Sequence, residues 1–135
     1  MKYLLDTNIC IYLIKKKPAS VITRFNEHSV GDIGVSSITV AELSFGVQKS
    51  RRRTQNQEAL LQFLSPLVIA KFDAEAAFIY GQIRAELESQ GTPIGSLDTL
   101  IAGHAVGLGI TLVTLNEREF SRVRNLQVEN WVRKR

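Results

Sequence analysis

Residues 1–8 read MKYLLDTN, a stretch that predicts the first element of the fold and raises the question of function. The apolar run Tyr3–Leu5 is typical of a short buried strand, and it ends on the carboxylate of Asp6. A hydroxyl and an amide, those of Thr7 and Asn8, follow directly. Two interpretations stay open. Asp6 is either a turn residue that follows a strand, or a carboxylate presented at the mouth of a sheet for chemistry.

Further strand patterns recur along the chain and alternate with helical ones. Apolar runs predict strands at 33–37 (IGVSS), 67–72 (LVIAKF), 110–114 (ITLVT) and 126–131 (LQVENW). Helices are predicted at about 8–14, 18–25, 39–47, 58–64, 97–108 and 117–123, and the longest is capped by Asp73 and ended by Gly91. Nearly all-apolar strands separated by helices predict an α/β sandwich whose parallel sheet is covered on both faces. The pattern leaves the strand order open.

Composition indicates one ordinary globular domain over residues 1–135. Hydrophobic residues make up 44% of the chain and charged residues 22%, which excludes disorder. The single cysteine, Cys10, lies in an apolar run and excludes an internal disulfide; we expect it to be a small core residue. No secretory leader and no bilayer-spanning stretch is recognisable, so we expect a cytoplasmic protein without membrane contact.

Basic residues give the chain a formal net charge of +4 and are bunched into runs. The runs are residues 15–17 (KKK), Lys49 with residues 51–53 (RRR), and residues 133–135 (RKR). Such clusters suit a polyanion, because neutralising phosphates releases condensed counterions. Solvated turns and a frayed tail explain the same runs equally simply.

Four acids fall near the starts of predicted helices that follow strands or loops: Asp6, Glu42, Asp98 and Glu119. Helices that follow parallel strands begin at the carboxyl edge of the sheet, where open α/β folds carry their sites. Each acid also has a structural explanation. Thr39 and Glu42 have the spacing of a capping box, Asp98 and Glu119 complement helix dipoles, and Asp6 suits a turn with its own backbone.

Taken together, the acids favour a metal site. Asp6 and Glu42 are flanked by apolar residues (YLLD and VAEL), where a carboxylate is costly without a compensating cation or hydrogen bonds. Carboxylates that gather in one crevice suit Mg²⁺, with Mn²⁺ as the other candidate. His28 and His104 have the features of structural residues. A Mg²⁺ site in a basic protein predicts attack on a phosphodiester of a nucleic acid by a metal-activated water.

Four segments of this chain resemble successive signature segments of the PIN-domain family, and more closely those of VapC toxins of the enteric type. The segments are MKYLLDTNICIYLI, SSITVAELSFGVQKS, IRAELESQGTPIGSLDTLIAGHA and TLVTLNEREFSRVRNLQVENW. The resemblance implies a three-layer α/β/α sandwich with a parallel sheet and a metal-dependent endoribonuclease. It implies Asp6 and Asp98 as Mg²⁺ ligands, with Glu42 completing the site directly or through water.

One position departs from the pattern of the family. Many members have a fourth acid where this chain has Asn116, so a second metal site is in question, and Glu119 is the acid available to substitute. Polar residues beside the acids are suited to orienting carboxylates or water, or else are ordinary turn residues: Thr7, Asn8, Ser37 and Thr114.

The resemblance also implies partners. VapC-like proteins form homodimers and are neutralised by a VapB antitoxin whose C-terminal segment fills the active-site groove. Enteric relatives cut initiator tRNA in its anticodon stem-loop. Arg84 and the basic runs are available to hold phosphates, and the amphipathic helices before Pro66 to contact a partner chain.

Three other functions compete with the prediction of a nuclease. A phosphoacceptor domain needs an adjacent acidic pair and a late lysine, whereas DTN has one acid and Glu and Arg follow LVTLN. A dehalogenase-type phosphatase needs an acid where Asn8 stands. The third is the alternative function that remains: a catalytically weak module of the same fold that binds RNA or a partner, which the Asn116 departure favours.

Overall fold

Five parallel strands form one sheet in the computed structural model, which describes residues 1–133. The strands are β1 Tyr3–Leu5, β2 Ile33–Ser36, β3 Val68–Ala70, β4 Thr111–Val113 and β5 Val128–Glu129. Their order is β3-β2-β1-β4-β5, and every neighbouring pair is parallel. The predicted parallel α/β fold is confirmed. The chain runs outward from β1 on one side and then returns to β4 on the other, which makes the β1/β4 boundary the topological switch point.

Seven helices cover the two faces of this sheet within residues 1–133. Four lie on one face: α1 Thr7–Lys15, α2 Ala19–Asn26, α3 Ser37–Gln48 and α4 Arg53–Leu64. Three lie on the other: α5 Ala74–Ser89, α6 Ser96–Leu108 and α7 Glu117–Phe120. The architecture is therefore a three-layer α/β/α sandwich.

Consecutive side chains of β1 belong to different hydrophobic layers. Leu4 packs in the cluster that contains Ile101 of α6, whereas Leu5 packs in the cluster that contains Ile9 of α1. This follows from the two-residue period of a strand. Both leucines are fully buried, and each contributes about 1.5–3 kcal/mol of transfer free energy. Burial on both faces explains why this strand is apolar without alternation.

Cys10 of α1 is fully buried in the same layer as Leu5, as the sequence predicted. Burial, with a smaller effect from the charge of Asp6, raises the pKa of its thiol. The thiol is therefore protonated and acts as a small apolar side chain.

The β3 strand is the exception to two-sided burial. It lies at the edge of the sheet, and Val68 and Ile69 remain 39% and 47% exposed. The sequence predicted a longer strand at 67–72 on the strength of its apolar run. An edge position allows those residues to remain partly in water.

Two helix boundaries differ from their predicted positions. Helix α4 begins at Arg53, five residues before the predicted start at Glu58. Its first turns are polar and exposed, so they carry no apolar period, although Arg and Gln are good helix formers. Pro18 is the N-cap of α2 rather than its first helical residue.

The last predicted strand, 126–131, is shortened to β5, and Trp131 turns into the core. Trp131 is fully buried beside the rings of Tyr3 and His28, and its indole N–H donates to Glu129. His28 is structural, as predicted. Lys134 and Arg135 of the third basic run lie outside the described residues.

Helices α5 and α6 approach closely at Gly103. A Cβ at this position would lie 3.0 Å from the backbone nitrogen of Tyr80 and 3.3 Å from the carbonyl oxygen of Ala76. A side chain at this position would push the two helix backbones slightly apart, so glycine suits this crossing best. Within residues 1–133, no helix combines the length and apolar character needed to traverse a bilayer.

Candidate active site

Asp6 lies where β1 ends, at the switch point of the sheet. Its backbone N–H donates to the carbonyl of Val113 over 2.9 Å. Its Oδ1 accepts from the backbone N–H of Thr7 at 2.9 Å, and its Oδ2 accepts from the hydroxyl of Thr114 at 2.7 Å. The first side-chain bond makes Asp6 the N-cap of α1, so the local interpretation of this residue is correct in part. The second bond joins it to the neighbouring strand, which no local turn requires.

The carboxyl group of Asp6 belongs to a residue that is only 5% exposed. Burial raises its pKa, while the hydrogen bonds from Thr114 and Thr7 act in the opposite direction because they favour the charged form. A buried carboxylate held in this way has fixed oxygen positions and little solvent to balance its charge.

Asp98 lies in the first turn of α6, as predicted, and is half-buried. Its pKa is raised to about 6, first by burial and then by the charges of Asp6, Glu119 and Glu42, in that order. Three carboxylates from other elements therefore lie close enough to disfavour a fourth charge here. This coupling is the evidence that the predicted acids share one region.

Asn116 supplies a neutral contact in this region. Its side chain hydrogen-bonds to Asp98 and acts to lower the pKa of that carboxyl. Its backbone N–H donates over 3.0 Å to the hydroxyl oxygen of Thr114, which itself donates to Asp6. The short segment from Thr114 to Asn116 thus contacts both Asp6 and Asp98. Glu119, in α7, is partly buried and contributes charge to the region.

Glu42 is not in a capping box, and that alternative was wrong. Helix α3 begins at Ser37, and its N-cap is Ser36, whose Oγ accepts from the N–H of Ile38 at 3.0 Å. Glu42 therefore lies in the second turn rather than the first. Its Oε1 accepts from the hydroxyl of Thr7 at 2.9 Å, so Glu42 is held against the residue that follows Asp6.

Two of the predicted supporting residues form no hydrogen bond with the four acids within residues 1–133. The hydroxyl of Ser37 accepts from the backbone N–H of Phe72 at 3.0 Å, which ties α3 to the segment after β3. Asn8 is exposed on α1.

A buried polar pair was missed by the sequence reasoning. His104 Nδ1 lies 2.8 Å from Ser36 Oγ, and both side chains are almost fully buried. A histidine in an otherwise apolar helix was a signal that it packs inside, but nothing local identified its partner 68 residues away.

An open groove of about 320 Å³ runs between α1, α3 and α4. Thr7 and Glu42 line it, and so do Lys15 and Asn56. Because Thr7 and Lys15 are the first and last residues of α1, the groove follows that helix from the acidic region to the basic run. Its remaining lining is mostly apolar, as at Ile11.

The donor set fits a hard divalent cation. All four acids offer oxygen ligands, and in the part of the chain described none of them has an ion-pair partner. Within residues 1–133, no three His, Cys, Asp or Glu side chains lie close enough together to hold a metal ion among them. An open arrangement suits Mg²⁺, which is bound by one or two carboxylates and keeps several waters.

Known proteins resemble this chain in sequence and in structure. The PIN domain family matches residues 3–126. The chain is 48% identical to the tRNA(fMet)-specific endonuclease VapC of Shigella flexneri, over 97% of this chain and 98% of that protein. It is also 48% identical to Ribonuclease VapC2 of Rickettsia felis, with the same coverage. Among solved structures, DNA-bound VapBC from Salmonella typhimurium matches with a TM-score of 0.92 and 44% identity, over 97% of this chain and 98% of that one.

Proposed function

This chain belongs to the VapC branch of the PIN-domain family, and from that premise we propose that it is the ribonuclease toxin of a toxin–antitoxin pair. It is a divalent-metal-dependent endonuclease, it acts in the cytoplasm, and its substrate is tRNA. The observation that carries the proposal is the position of Asp6, which is tied to Thr114 across the switch point of the sheet and which, with Glu119 and Glu42, raises the pKa of Asp98. In this proposal, acids from four separate parts of the chain serve one metal-binding centre at the carboxyl edge of the sheet.

The residues around this centre fix its geometry. Thr114 and the Thr7 amide hold both oxygens of Asp6, Asn116 steadies Asp98, and the Thr7 hydroxyl holds Glu42. Asp6 and Asp98 would hold Mg²⁺ or Mn²⁺, with Glu42 and Glu119 at the rim. When bound, the ion lowers the pKa of a water molecule and balances the charge that develops on the phosphate.

The side chains of the protein supply orientation and proton acceptance. Asp6 is locked by two hydrogen bonds, so little reorganisation is needed when a phosphodiester enters. Glu42 and Glu119 keep no ion-pair partner among residues 1–133 and are the acids available to accept a proton from the attacking water. Asn116 keeps its neighbour Asp98 in place without adding a fifth charge.

The choice of tRNA rests on the named relatives. The Shigella flexneri relative is a tRNA(fMet)-specific endonuclease, and a Salmonella typhimurium relative that is 44% identical carries the same name. We therefore take tRNA(fMet) as the first candidate substrate. The anticodon stem-loop is the expected place of cleavage.

A VapB-like antitoxin is the proposed protein partner, and the toxin itself is a homodimer. The structural relatives include VapBC assemblies from Rickettsia felis and Salmonella typhimurium. The apolar groove ends at Glu42, so a bound segment there would cover the acidic centre. Phe45 of α3 and Leu61 of α4 are 65% and 57% exposed, which supports a protein contact in this helical layer.

The first experiment incubates the purified protein, freed of antitoxin, with total tRNA in the presence of Mg²⁺ or EDTA. Cleavage is expected with metal and is expected to disappear with EDTA. Asp6→Ala and Asp98→Ala should be inactive, whereas Glu58→Ala, an exposed acid of α4 outside the site, should cut like wild type. Continued cutting by the two site variants would count against the assignment.

Inactivity of the wild type toward several RNAs would favour the alternative of a binding module, provided that the protein still binds tRNA. The partner is tested separately by co-expression with the small protein encoded beside this one. That neighbour should restore growth. Toxicity that the neighbour does not alter would overturn the antitoxin pairing without affecting the nuclease.

A further inference from the structure

The lysines and arginines of this protein include a group that is ion-paired and a clustered group that is not. Arg24, Arg84, Arg124 and Arg133 each form an ion pair with a glutamate, at 2.7–3.2 Å. The three lysines at 15–17, and Lys49 with the three arginines at 51–53, are all exposed, and none has an acidic partner within residues 1–133. We call these seven residues the basic platform.

The two halves of the platform are distant in sequence but adjacent in space. Lys15 ends α1, and Asn56 lies in the first turn of α4, which begins at Arg53; both line the same groove. The turn between α3 and α4 is closed by the Asn56 side chain, which donates to the hydroxyl of Ser50 at 3.0 Å. That turn therefore presents Lys49 and the arginines near the lysines at the end of α1.

The platform lies at a fixed separation from the acids. Helix α1 has nine residues and leads from Thr7, beside Asp6, to Lys15. At a rise of 1.5 Å per residue, the eight steps from Thr7 to Lys15 place the near end of the platform about 12 Å along the helix axis from Thr7. One RNA molecule held at the acids is large enough to reach both places.

Charge decides what the platform attracts. The acidic centre repels a polyanion until a metal ion balances its negative charge. Attraction between the platform and RNA therefore has its main effect on capture of the substrate. Cations that pair with phosphates do not need acidic partners within the protein, so the lack of such partners among residues 1–133 suits a phosphate-binding surface. Lys49 Nζ also lies 5.2 Å from the ring centroid of Phe45. The helical dipole of α4, whose N-cap Arg52 makes no side-chain capping bond, adds to the same positive field.

We propose that the basic platform binds phosphates of the RNA substrate away from the bond that is cut. This inference rests on the proposed nuclease function and extends it. The platform contributes to affinity and not to the chemical step, because its charges lie too far from the acids to contact the reacting phosphate. The proposal also predicts that the platform does not increase the affinity for a substrate too short to reach it.

The test uses two double variants with the same change in charge. Arg51→Gln/Arg52→Gln alters the platform, and Arg122→Gln/Arg124→Gln alters exposed arginines that follow α7 in the opposite helical layer. Each is made in an Asp98→Asn background for binding and in the wild-type background for cleavage. Binding of unfractionated tRNA is measured by fluorescence anisotropy across a series of salt concentrations.

The platform variant is expected to lower the slope of log affinity against log salt by about 1.4–1.8, since each phosphate contact contributes about 0.7–0.9. Its KM for tRNA should rise about tenfold or more at low salt, with kcat unchanged, because the salt-dependent part of binding is lost. The control variant should change neither quantity. A dinucleoside monophosphate, whose single phosphate is the one that is cut, cannot reach the platform, so all three proteins should cut it equally.

The outcomes separate the two proposals. Suppose that the platform variant lowers the slope of log affinity against log salt for tRNA, but that no RNA is cut. The platform proposal then stands and the nuclease assignment fails. If RNA is cut and the two double variants have the same slope and KM, the platform is overturned. If the platform variant weakens binding of the co-expressed antitoxin but not of tRNA, the surface belongs to a protein partner and the proposal is likewise overturned.

Discussion

The hydroxyl of Thr114 donates to Asp6 Oδ2 over 2.7 Å, although 108 residues separate the two in sequence. Thr114 follows β4 and Asp6 follows β1, and these strands are neighbours only because the chain returns to the central strand after forming β2 and β3. The same hydroxyl oxygen accepts from the N–H of Asn116. One buried oxygen atom thus connects the carboxylate of Asp6 to the segment that contacts Asp98.

Thr114→Val removes this connection while keeping the shape of the side chain. It leaves Asp6 Oδ2 and the Asn116 N–H without their partner, so the free energy of unfolding should fall by about 1–3 kcal/mol. The rate of RNA cleavage should fall about 10–100-fold, the usual effect of losing a residue that orients a metal ligand. Urea unfolding and single-turnover cleavage measure the two effects. Thr114→Ser, which keeps the hydroxyl, is the control and should retain most of both; equal losses in the two variants would contradict the argument.

Asp98 should titrate near pH 6 in the metal-free protein, above its ordinary value of 3.8. Because its pKa is raised in the folded state, Asp98 contributes stability that is fully present below about pH 4 and is lost as pH rises through about 6. Asp98→Asn removes this loss. In EDTA at pH 7.5 the variant should melt about 2–4 °C above wild type, and at about pH 4 the two should melt together. A carbon NMR titration of the Asp98 carboxyl checks the pKa directly, and a midpoint near its ordinary value would refute the proposed coupling among the acids.

Asn116→Asp should raise the pKa of Asp98 further. The wild-type amide donates to Asp98, whereas an aspartate at this position adds a like charge in the same place. The midpoint of the NMR titration is expected to move upward by about one pH unit, with a smaller upward shift in Asn116→Ala, which only removes the donor. A downward shift in Asn116→Asp would show that the Asn116 side chain does not face Asp98.

His104 should tolerate replacement by Asn and not by Leu. Ser36 Oγ already accepts from the N–H of Ile38, so its own proton is free to point at His104 Nδ1, 2.8 Å away. Burial lowers the pKa of His104, which favours the neutral ring, and in the tautomer with the proton on Nε2 the Nδ1 atom is an acceptor. An Asn side chain places an acceptor oxygen near the same position.

A leucine in place of His104 would leave the Ser36 hydroxyl unpaired in the core. His104→Leu should therefore lower the free energy of unfolding by about 1–3 kcal/mol more than His104→Asn does. Denaturant unfolding measures both variants. A double-mutant cycle with Ser36→Ala tests whether the loss comes from this pair, since independent effects would simply add.

Gly103→Val should destabilise the protein by about 1–3 kcal/mol, because its Cβ would press on the backbone of Tyr80 where α5 crosses α6. Gly81 of α5 is the matched control. It is exposed, and a Cβ there meets nothing within 4 Å, so Gly81→Ala should stabilise the helix by about 0.5–1 kcal/mol. Thermal unfolding of the two variants gives the sign of each effect. Equal changes would mean that the crossing is not tight.

Local sequence determined the elements and the edge of the sheet that carries the acids. The apolar run before Asp6 indicates a strand buried on both faces, and helix starts after such strands must lie at the carboxyl edge. Asp98 could be placed in the first turn of α6 from the loop that precedes that helix. The start of α4 at Arg53 could not be placed, since an exposed polar turn carries no hydrophobic period that marks its beginning.

Tertiary structure decided which polar groups meet. Strand order, and with it the contact of Thr114 with Asp6, depends on how the chain returns to β1, which no short segment encodes. The pairing of Ser36 with His104 and the use of Asn116 as a donor to Asp98 follow from that packing. Periodicity is written into neighbouring residues, whereas a hydrogen bond across the sheet exists only after two distant segments have been buried side by side.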